Sequence, residues 1–305
     1  MRALLLTAAL LAVACKTPSR PGATIVGAVT VGEAALSGKP EISRTAPQLV
    51  REVQGALEST GQFVVRQGGL AHVHLEIEQV QRRLAPLLEG SRAPEREIAE
   101  VYLTLELTQG DADRLVAEGD ARRPTGADDS LDPEARHAAF DSALQEALQA
   151  AVAALRDQVE ARRKTDAQLL ADLSAKDAHV RDYAIRVLAD RRSPAAVPVL
   201  IERLHDENSD IVKRAAGALT AIGDRRAVVP MIELTRKRTS EQVGPLLYAI
   251  ASLGGAEAEA FLYTLESGSP DEEVRRAARG AYADLVRRKR EEARRTDPLP
   301  RNASP

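Results

Sequence analysis

A chain of 305 residues has room for two domains at roughly 100 to 200 residues each, and with 44% hydrophobic residues but no Trp, three Phe and five Tyr its cores must be aliphatic. A formal net charge of −3 offers no general attraction to phosphate backbones, which argues against nucleic acid as a partner. One cysteine forbids an intramolecular disulfide, and the scarcity of aromatic faces argues against a sugar site.

The chain opens with Arg2 and an apolar stretch, residues 3–14, too short for a ~30 Å hydrocarbon core, which takes about 20 residues. It ends Ala12-Val13-Ala14-Cys15, with small residues where a signal peptidase reads them, so residues 1–14 are expected to be a cleaved signal peptide. The stretch resembles the lipobox of bacterial lipoproteins, in which the cysteine is acylated and becomes the new N-terminus. Ala12 stands where that family prefers Leu, which leaves an ordinary A-x-A cut open. Such a cut would leave a reactive thiol at the N-terminus, and acylation removes it. The resemblance implies that Cys15 carries a lipid and that residues 15–23, "CKTPSRPGA", are a tether holding the protein to the membrane. Lys16, in place of the Asp that retains many lipoproteins at the inner membrane, implies the outer membrane, facing the periplasm.

Residues 24–163 read as an α+β domain of order β-α-β-β-β-β-α. "TIVGAVTV" (24–31) is a strand apolar on both faces. A helix follows, capped by Thr45, with Pro47 in its first turn and Leu49, Val50, Val53 and Leu57 at helical spacing until Gly61. "QFVV" (62–65) is a short strand. "AHVHLEIEQV" (71–80) alternates strictly, "VYLTLEL" (101–107) repeats the alternation, and "RLVAEGDAR" completes a hairpin after Gly110-Asp111. Residues 81–97 read as a long loop whose Leu84, Leu87 and Leu88 form either a docking element or a self-packed helix. A long helix then carries Phe140, Leu144, Ala147, Ala151 and Leu155 on one stripe.

His72 and His74 point to one side of their strand together with Glu76 and Glu78, a weak candidate for metal. Zinc takes three or four converging ligands and no third protein ligand is identifiable, so a solvated strand face is preferred and no cofactor is expected. In order and texture residues 24–160 look like small domains of bacterial envelope lipoproteins, such as penicillin-binding-protein activators and curli-secretion pore subunits. The likeness rests on "APQLVREVQGALESTGQFVV", the alternating strands and "AFDSALQEALQAAVAAL". It implies an accessory or assembly domain that contacts other envelope proteins.

From Asp166 the strands vanish and a unit recurs. Val180, Val212, Val243 and Val274 open the second helix of four units, with Ala184, Ala216, Leu247 and Ala278 four positions on and Val187, Leu219, Ile250 and Ala281 seven on. First helices recur as Leu169/Leu170/Leu173, Val197/Leu200/Ile201, Val228/Met231/Ile232 and Ala258/Phe261/Leu262. Turns such as "HDENSD" supply caps, and Gly223 in "IGDRRA" suits a left-handed cap. A lone hairpin cannot cover its apolar sides, so residues 166–290 are expected to stack into an all-α solenoid, right-handed or gently curved. "AVPVLIERLHDENSDIVKRAAGALTAIGDRRAVVPMIEL" closely resembles the short HEAT-like repeats of bacterial proteins, also seen in phycobilin lyases. The third unit departs at Gly244-Pro245, and residues 291–305 read as a disordered tail.

The HEAT resemblance implies that the second helices line a concave side that binds other proteins. On it Arg181, Lys213 and Arg275 would form a ladder beside Ile185, Tyr248 and Arg279. Acidic turn residues Asp177, Asp210 and Asp271 lie near those bases, so structural pairing between units competes with partner binding and is preferred. No nucleophile elbow, phosphate loop or HExxH is present, and no small-molecule substrate is evident. The resulting expectation is a non-enzymatic envelope lipoprotein that serves as a scaffold or adaptor. The alternatives are an enzyme or enzyme accessory of the phycobilin-lyase-like class, and an accessory factor of peptidoglycan synthesis or secretion assembly.

Overall fold

A computed structural model of the chain describes residues 22–32, 35–86, 95–110, 113–125 and 133–296. The expected signal peptide, Cys15 and its tether up to residue 21, Leu87, Leu88 and residues 297–305 lie outside the described residues. The chain forms two compact units, Met1–Val159 and Glu160–Pro305.

In the first unit β1 (Thr24–Val31), α1 (Ala46–Ser59), β2 (Phe63–Val65), β3 (Ala71–Pro86), β4 (Glu95–Gln109), β5 (Asp113–Pro124) and α2 (Pro133–Arg163) follow one another. The five strands form one sheet in the order β2-β1-β3-β4-β5. β1 runs parallel to both neighbours, and β3, β4 and β5 are antiparallel. Alternation decides the faces: Ala71, Val73, Leu75 and Ile77 of β3 and Val101, Leu103, Leu105 and Leu107 of β4 are buried. Leu49, Val53 and Leu57 of α1 and Phe140, Leu144, Ala147, Ala151 and Leu155 of α2 join them in one core. At the start of α1 the Gln48 side chain accepts from the Thr45 backbone N–H at 2.8 Å.

The hairpin is longer than the sequence implies. Residues expected in a loop over 81–97 are strand up to Pro86 and again from Glu95. Polar cross-strand pairs extend the ladder where apolar alternation stops: Gln81 Nε2 donates to Glu100 Oε2 at 2.7 Å, and Glu100 also meets Arg122 at 3.1 Å. Leu84 sits in this extension, exposed.

The path from β2 to β3 is the least expected feature. Both strands flank β1 and both run parallel to it, Val65 lying opposite Val26 on one side and Ala71 opposite Val26 on the other. Residues 66–70 therefore cross β1 at the level of its bulge between Val26 and Ala28. The crossing needs two glycines, since a Cβ on Gly27 would fall on the backbone of Gly69 and one on Gly69 would meet the backbone of Gly27, Val26 and Ile25. A third close approach occurs at Gly119 of β5, where a Cβ would meet the carbonyl of Ala147 in α2.

The second unit continues with α3 (Asp166–Asp172), α4 (Ala178–Asp190), α5 (Val197–Arg203), α6 (Ser209–Ile222), α7 (Val228–Thr235), α8 (Ser240–Leu253), α9 (Ala256–Gly268) and α10 (Glu272–Thr296). One continuous core contains the expected stripes, including Leu169, Ala184, Leu200, Ala216, Leu219, Met231, Leu247, Ile250, Leu262, Ala278 and Ala281. Thr165 and Gln168 close α3 reciprocally, with 2.9 Å from the Thr165 N–H and 3.4 Å back from the Gln168 N–H. Gly223 takes φ 78 and ψ 21 after α6, as its position implies. Neighbouring second helices, α4 with α6, α6 with α8 and α8 with α10, pack closely, whereas α3 with α5 and α5 with α7 touch far less. These second helices are the layer that the HEAT resemblance implies is the inner one.

Two substitutions separate backbone approach from helix propensity. Gly119→Ala is expected to lower stability by about 1–3 kcal/mol, because β5 must move off α2. Gly55→Ala, in the open on α1, is expected to raise it by about 0.5–1 kcal/mol. Thermal unfolding of the two variants beside the parent checks both.

Candidate functional site

The inner helices present their surface through positions counted from the opening valine of each unit. At the first position after it stand Arg181, Lys213, Gly244 and Arg275. Arg181 is a structural tie. Its Nη1 donates to the carbonyls of Ala175 (2.7 Å) and Lys176 (2.9 Å) in its own turn, and its Nη2 reaches Asp206 Oδ1 of the next unit at 3.1 Å. The two side chains are 12% and 5% exposed. Arg203 approaches the other Asp206 oxygen at 3.5 Å, and Asp206 Oδ1 also accepts from the Asn208 N–H. Arg275 repeats the grip on its own turn, donating to the Ser269 carbonyl at 2.6 Å. Lys213 is exposed and meets only Asp210 of its own turn, at 3.0 Å. The expected ladder is thus mainly a set of turn staples.

Ile185 corrects an expectation. The sequence puts it on the partner-facing strip of the second helices, but it is wholly buried, because Ala184, Val187 and Leu188 are buried beside it and widen the face of α4 turned to the core. The equivalent residues of the next units, Gly217, Tyr248 and Arg279, face solvent. Tyr248 is 46% exposed, and its hydroxyl and ring lie over Gly280 of α10, where a Cβ would collide with them. Arg279 pairs with Glu266 at 3.3 Å. Pro245 and Ser252 are exposed on the same side of α8. Of the six residues picked out by register, Lys213, Tyr248 and Arg279 are available to a partner, and Arg181, Ile185 and Arg275 are turned to the fold itself.

Caps tie neighbouring units as well. Asp271 caps α10 through the N–H groups of Glu273 (2.8 Å) and Val274 (3.2 Å) and accepts from the Ser240 hydroxyl of the preceding unit. That hydroxyl first, and then the Val274 N–H, hold its carboxyl below the usual range. Asp166 is lowered in the same way by Ser193 and Arg191, and Asp224 by Arg226. The third turn follows another pattern. Thr239 makes no side-chain cap bond, and the turn carries Arg236, Lys237 and Arg238 where other turns carry acids. Register alone did not single out these three; aligning the four turns against each other shows the change of sign.

On the open face of the sheet His74 Nδ1 lies 2.9 Å from Thr30 Oγ1 and its Nε2 lies 3.7 Å from Glu76. His72 is exposed. Among the described residues no group of three or more His, Cys, Asp or Glu side chains could hold a metal ion. Burial first, and then Glu118, Glu78 and Asp120, push the Tyr102 hydroxyl up, so this face carries negative charge around one tyrosine.

Asp206→Ala is expected to destabilise the repeats by about 3 kcal/mol, since it leaves Arg181 buried without its counter-charge. Lys213→Ala, whose pair is solvated, is expected to change stability by less than about 0.5 kcal/mol. Chemical denaturation of the two variants measures the contrast.

Residues 167–243 match the family model for HEAT repeats. The chain is 35% identical over 89 residues to the bilin biosynthesis protein PecE of Mastigocladus laminosus, covering 28% of this chain and 33% of that one. It is 36% identical over 75 residues to PecE of a Nostoc species, covering 24% and 30%. The chain therefore spans about a third of the length of the curated relatives it matches. Among solved structures, a hypothetical protein from Chlamydia trachomatis covers 44% of this chain and 96% of its own at 9% identity and TM-score 0.31. A protein of family DUF330 from Xanthomonas campestris covers 48% and 94% at 16% identity and TM-score 0.32. Neither score is high enough to bear on fold or function. The expectation of a chain without an enzymatic role is overturned by the two sequence relatives, which are named for a biosynthetic process. The C-terminal repeats of this chain are HEAT repeats over the matched residues, joined to an N-terminal strand-rich domain.

Proposed function

We propose that the HEAT repeats bind another protein along their inner helices and that the chain serves as an adaptor or scaffold in the bacterial cell envelope. The observation that carries this reading is Tyr248, a half-exposed aromatic seated on the bare backbone at Gly280 and followed along α8 by exposed Ser252. Aromatic side chains on a rigid, packed support give protein interfaces most of their affinity. The anchor in this reading is a lipid on Cys15, and the strand-rich domain is the part that contacts the envelope assembly.

A photo-crosslinking residue placed at Ser252 in the native bacterium tests the surface. One protein neighbour, captured repeatedly and lost when the same residue is placed at the buried Leu247, is expected. Equal yields from both positions would defeat the reading. Cys15→Ser is expected to release the protein into the soluble fraction with the loss of the acyl mass; an unchanged mass and fractionation would remove the anchor.

A second reading is favoured by the names of the relatives. The repeats would then take part in an enzyme-catalysed step on a protein, as an enzyme or an accessory to one, and a bilin carried through purification and visible by absorbance would favour it.

A further inference from the structure

The four turns that join first to second helices occupy equivalent places along one edge of the stack, and three of them are tied by acids. Asp177 caps α4 through the His179 N–H, Asp206 takes Arg181 across the unit boundary, and Asp271 takes Ser240 across the next. Residues 205–208 carry a net charge of −2 from Asp206 and Glu207, and residues 269–271 carry −1 from Asp271. Residues 236–239 carry +3 from Arg236, Lys237 and Arg238. Among the described residues none of these three side chains has a hydrogen bond or an ion pair, and Arg236 and Lys237 are exposed.

Three other departures fall in the same unit. Gly244 replaces the base that elsewhere staples the turn, and space is open there, the nearest atom to an added Cβ being the Ala277 methyl at 3.8 Å. Pro245 sits inside α8, so the carbonyl of Glu241 loses its helical N–H partner on the exposed side. Tyr248 follows, roughly 12 Å along the helix from Ser240 at 1.5 Å per residue, and Ser240 stands two residues past Arg238. At these places the neighbouring units carry Lys213 and Arg275, Arg214 and Arg276, and Gly217 and Arg279. Together they leave a strip with three cations at one end and an aromatic at the other, and Glu241 is the one carboxylate on the described exposed side of α8.

We infer that this strip receives an acidic segment of the partner protein, with its carboxylates on Arg236, Lys237 and Arg238 and an apolar side chain against Tyr248. The inference rests on the reading of the repeats as a protein-binding surface and names what they bind. Charge decides the class: three unpaired cations on a chain of net −3 form a local excess that opposite charge on a partner would neutralise. The net charge of −3 gives a phosphate backbone or an anionic headgroup layer no general attraction, and Tyr248, about two helical turns into α8, offers a peptide an apolar contact beside the charges.

The test is fluorescence anisotropy of the full chain with a labelled peptide in which a run of Glu and Asp precedes Leu and Phe. Saturable binding that weakens with salt is expected. The combined variant Arg236→Glu, Lys237→Glu and Arg238→Glu should bind at least about tenfold more weakly. Tyr248→Ala should lose about five- to tenfold, and Arg290→Glu with Arg294→Glu on α10 should leave binding unchanged. Circular dichroism melts confirm that each variant is folded; if the triple charge reversal is not, Arg236→Gln, Lys237→Gln and Arg238→Gln replace it. Absence of binding, equal binding of a control peptide with Gln and Asn in place of its Glu and Asp, indifference to the charge reversal, or tighter binding to phosphatidylglycerol vesicles or single-stranded DNA would overturn the inference. A native neighbour captured at Ser252 that ignores the charge reversal would overturn it too while leaving the protein-binding reading intact. Loss of that reading would show instead as the absence of any such neighbour.

Discussion

Two short helices with apolar residues on more than one side cannot hide them from water alone, and the second unit is organised around that constraint. Each hairpin leaves Leu, Val, Met or Ala stripes that only the next hairpin covers, so burial is continuous from Leu169 to Leu285. With about 1.5–3 kcal/mol for each fully buried aliphatic side chain such as Leu200 or Met231, this shared core outweighs any single polar contact on the stack. Polar ties set geometry on top of it. Arg181 with Asp206, and Ser240 with Asp271, fix how far one turn stands from the next. Between the second and third units the tie runs instead from Arg226 to the Pro194 carbonyl at 3.3 Å, and the turn at residues 236–239 is released from that duty.

That release gives the inner surface its chemical variety. In the first unit the outward base is consumed by its own turn and by the neighbour's carboxylate. In the third unit there is no side chain at that position, the turn is cationic and the exposed aromatic stands over glycine. A repeat protein can vary one unit in this way because each unit contacts mainly its neighbours, and the cost stays local. The curated relatives match about a quarter of this chain, and their names speak of bilin biosynthesis.

Much of this was legible in the residues. The alternation from Ala71 to Ile77 and from Val101 to Leu107 located two strands and their buried faces, and the spacing from Val180 to Val274 located four hairpins. What escaped depended on neighbours remote in sequence. Register put Ile185 outside because it is five positions past the opening valine, yet α4 buries a wider face than α6 or α8 at that position. The strand extensions to Pro86 and from Glu95 lack an apolar rhythm and are held by polar pairs such as Gln81 with Glu100. Arg181 reads as a surface base until Asp206, 25 residues away, is set against it. The lipobox-like Cys15 belongs to a different kind of inference, since its meaning depends on an enzyme that reads the chain.

The crossing at Gly27 has a mechanical side. Residues 63–75 grip β1 from both edges as one continuous piece of chain, passing over it where neither backbone carries a side chain. Tension applied at Thr24, the end nearest a tether, would act along β1 and load the bonds to Phe63–Val65 and to Ala71–Leu75 in shear, all together. Peeling them open singly is not available in that direction. A protein held by its first residues while its repeats grasp a moving partner would meet the strain at a strand held along both edges.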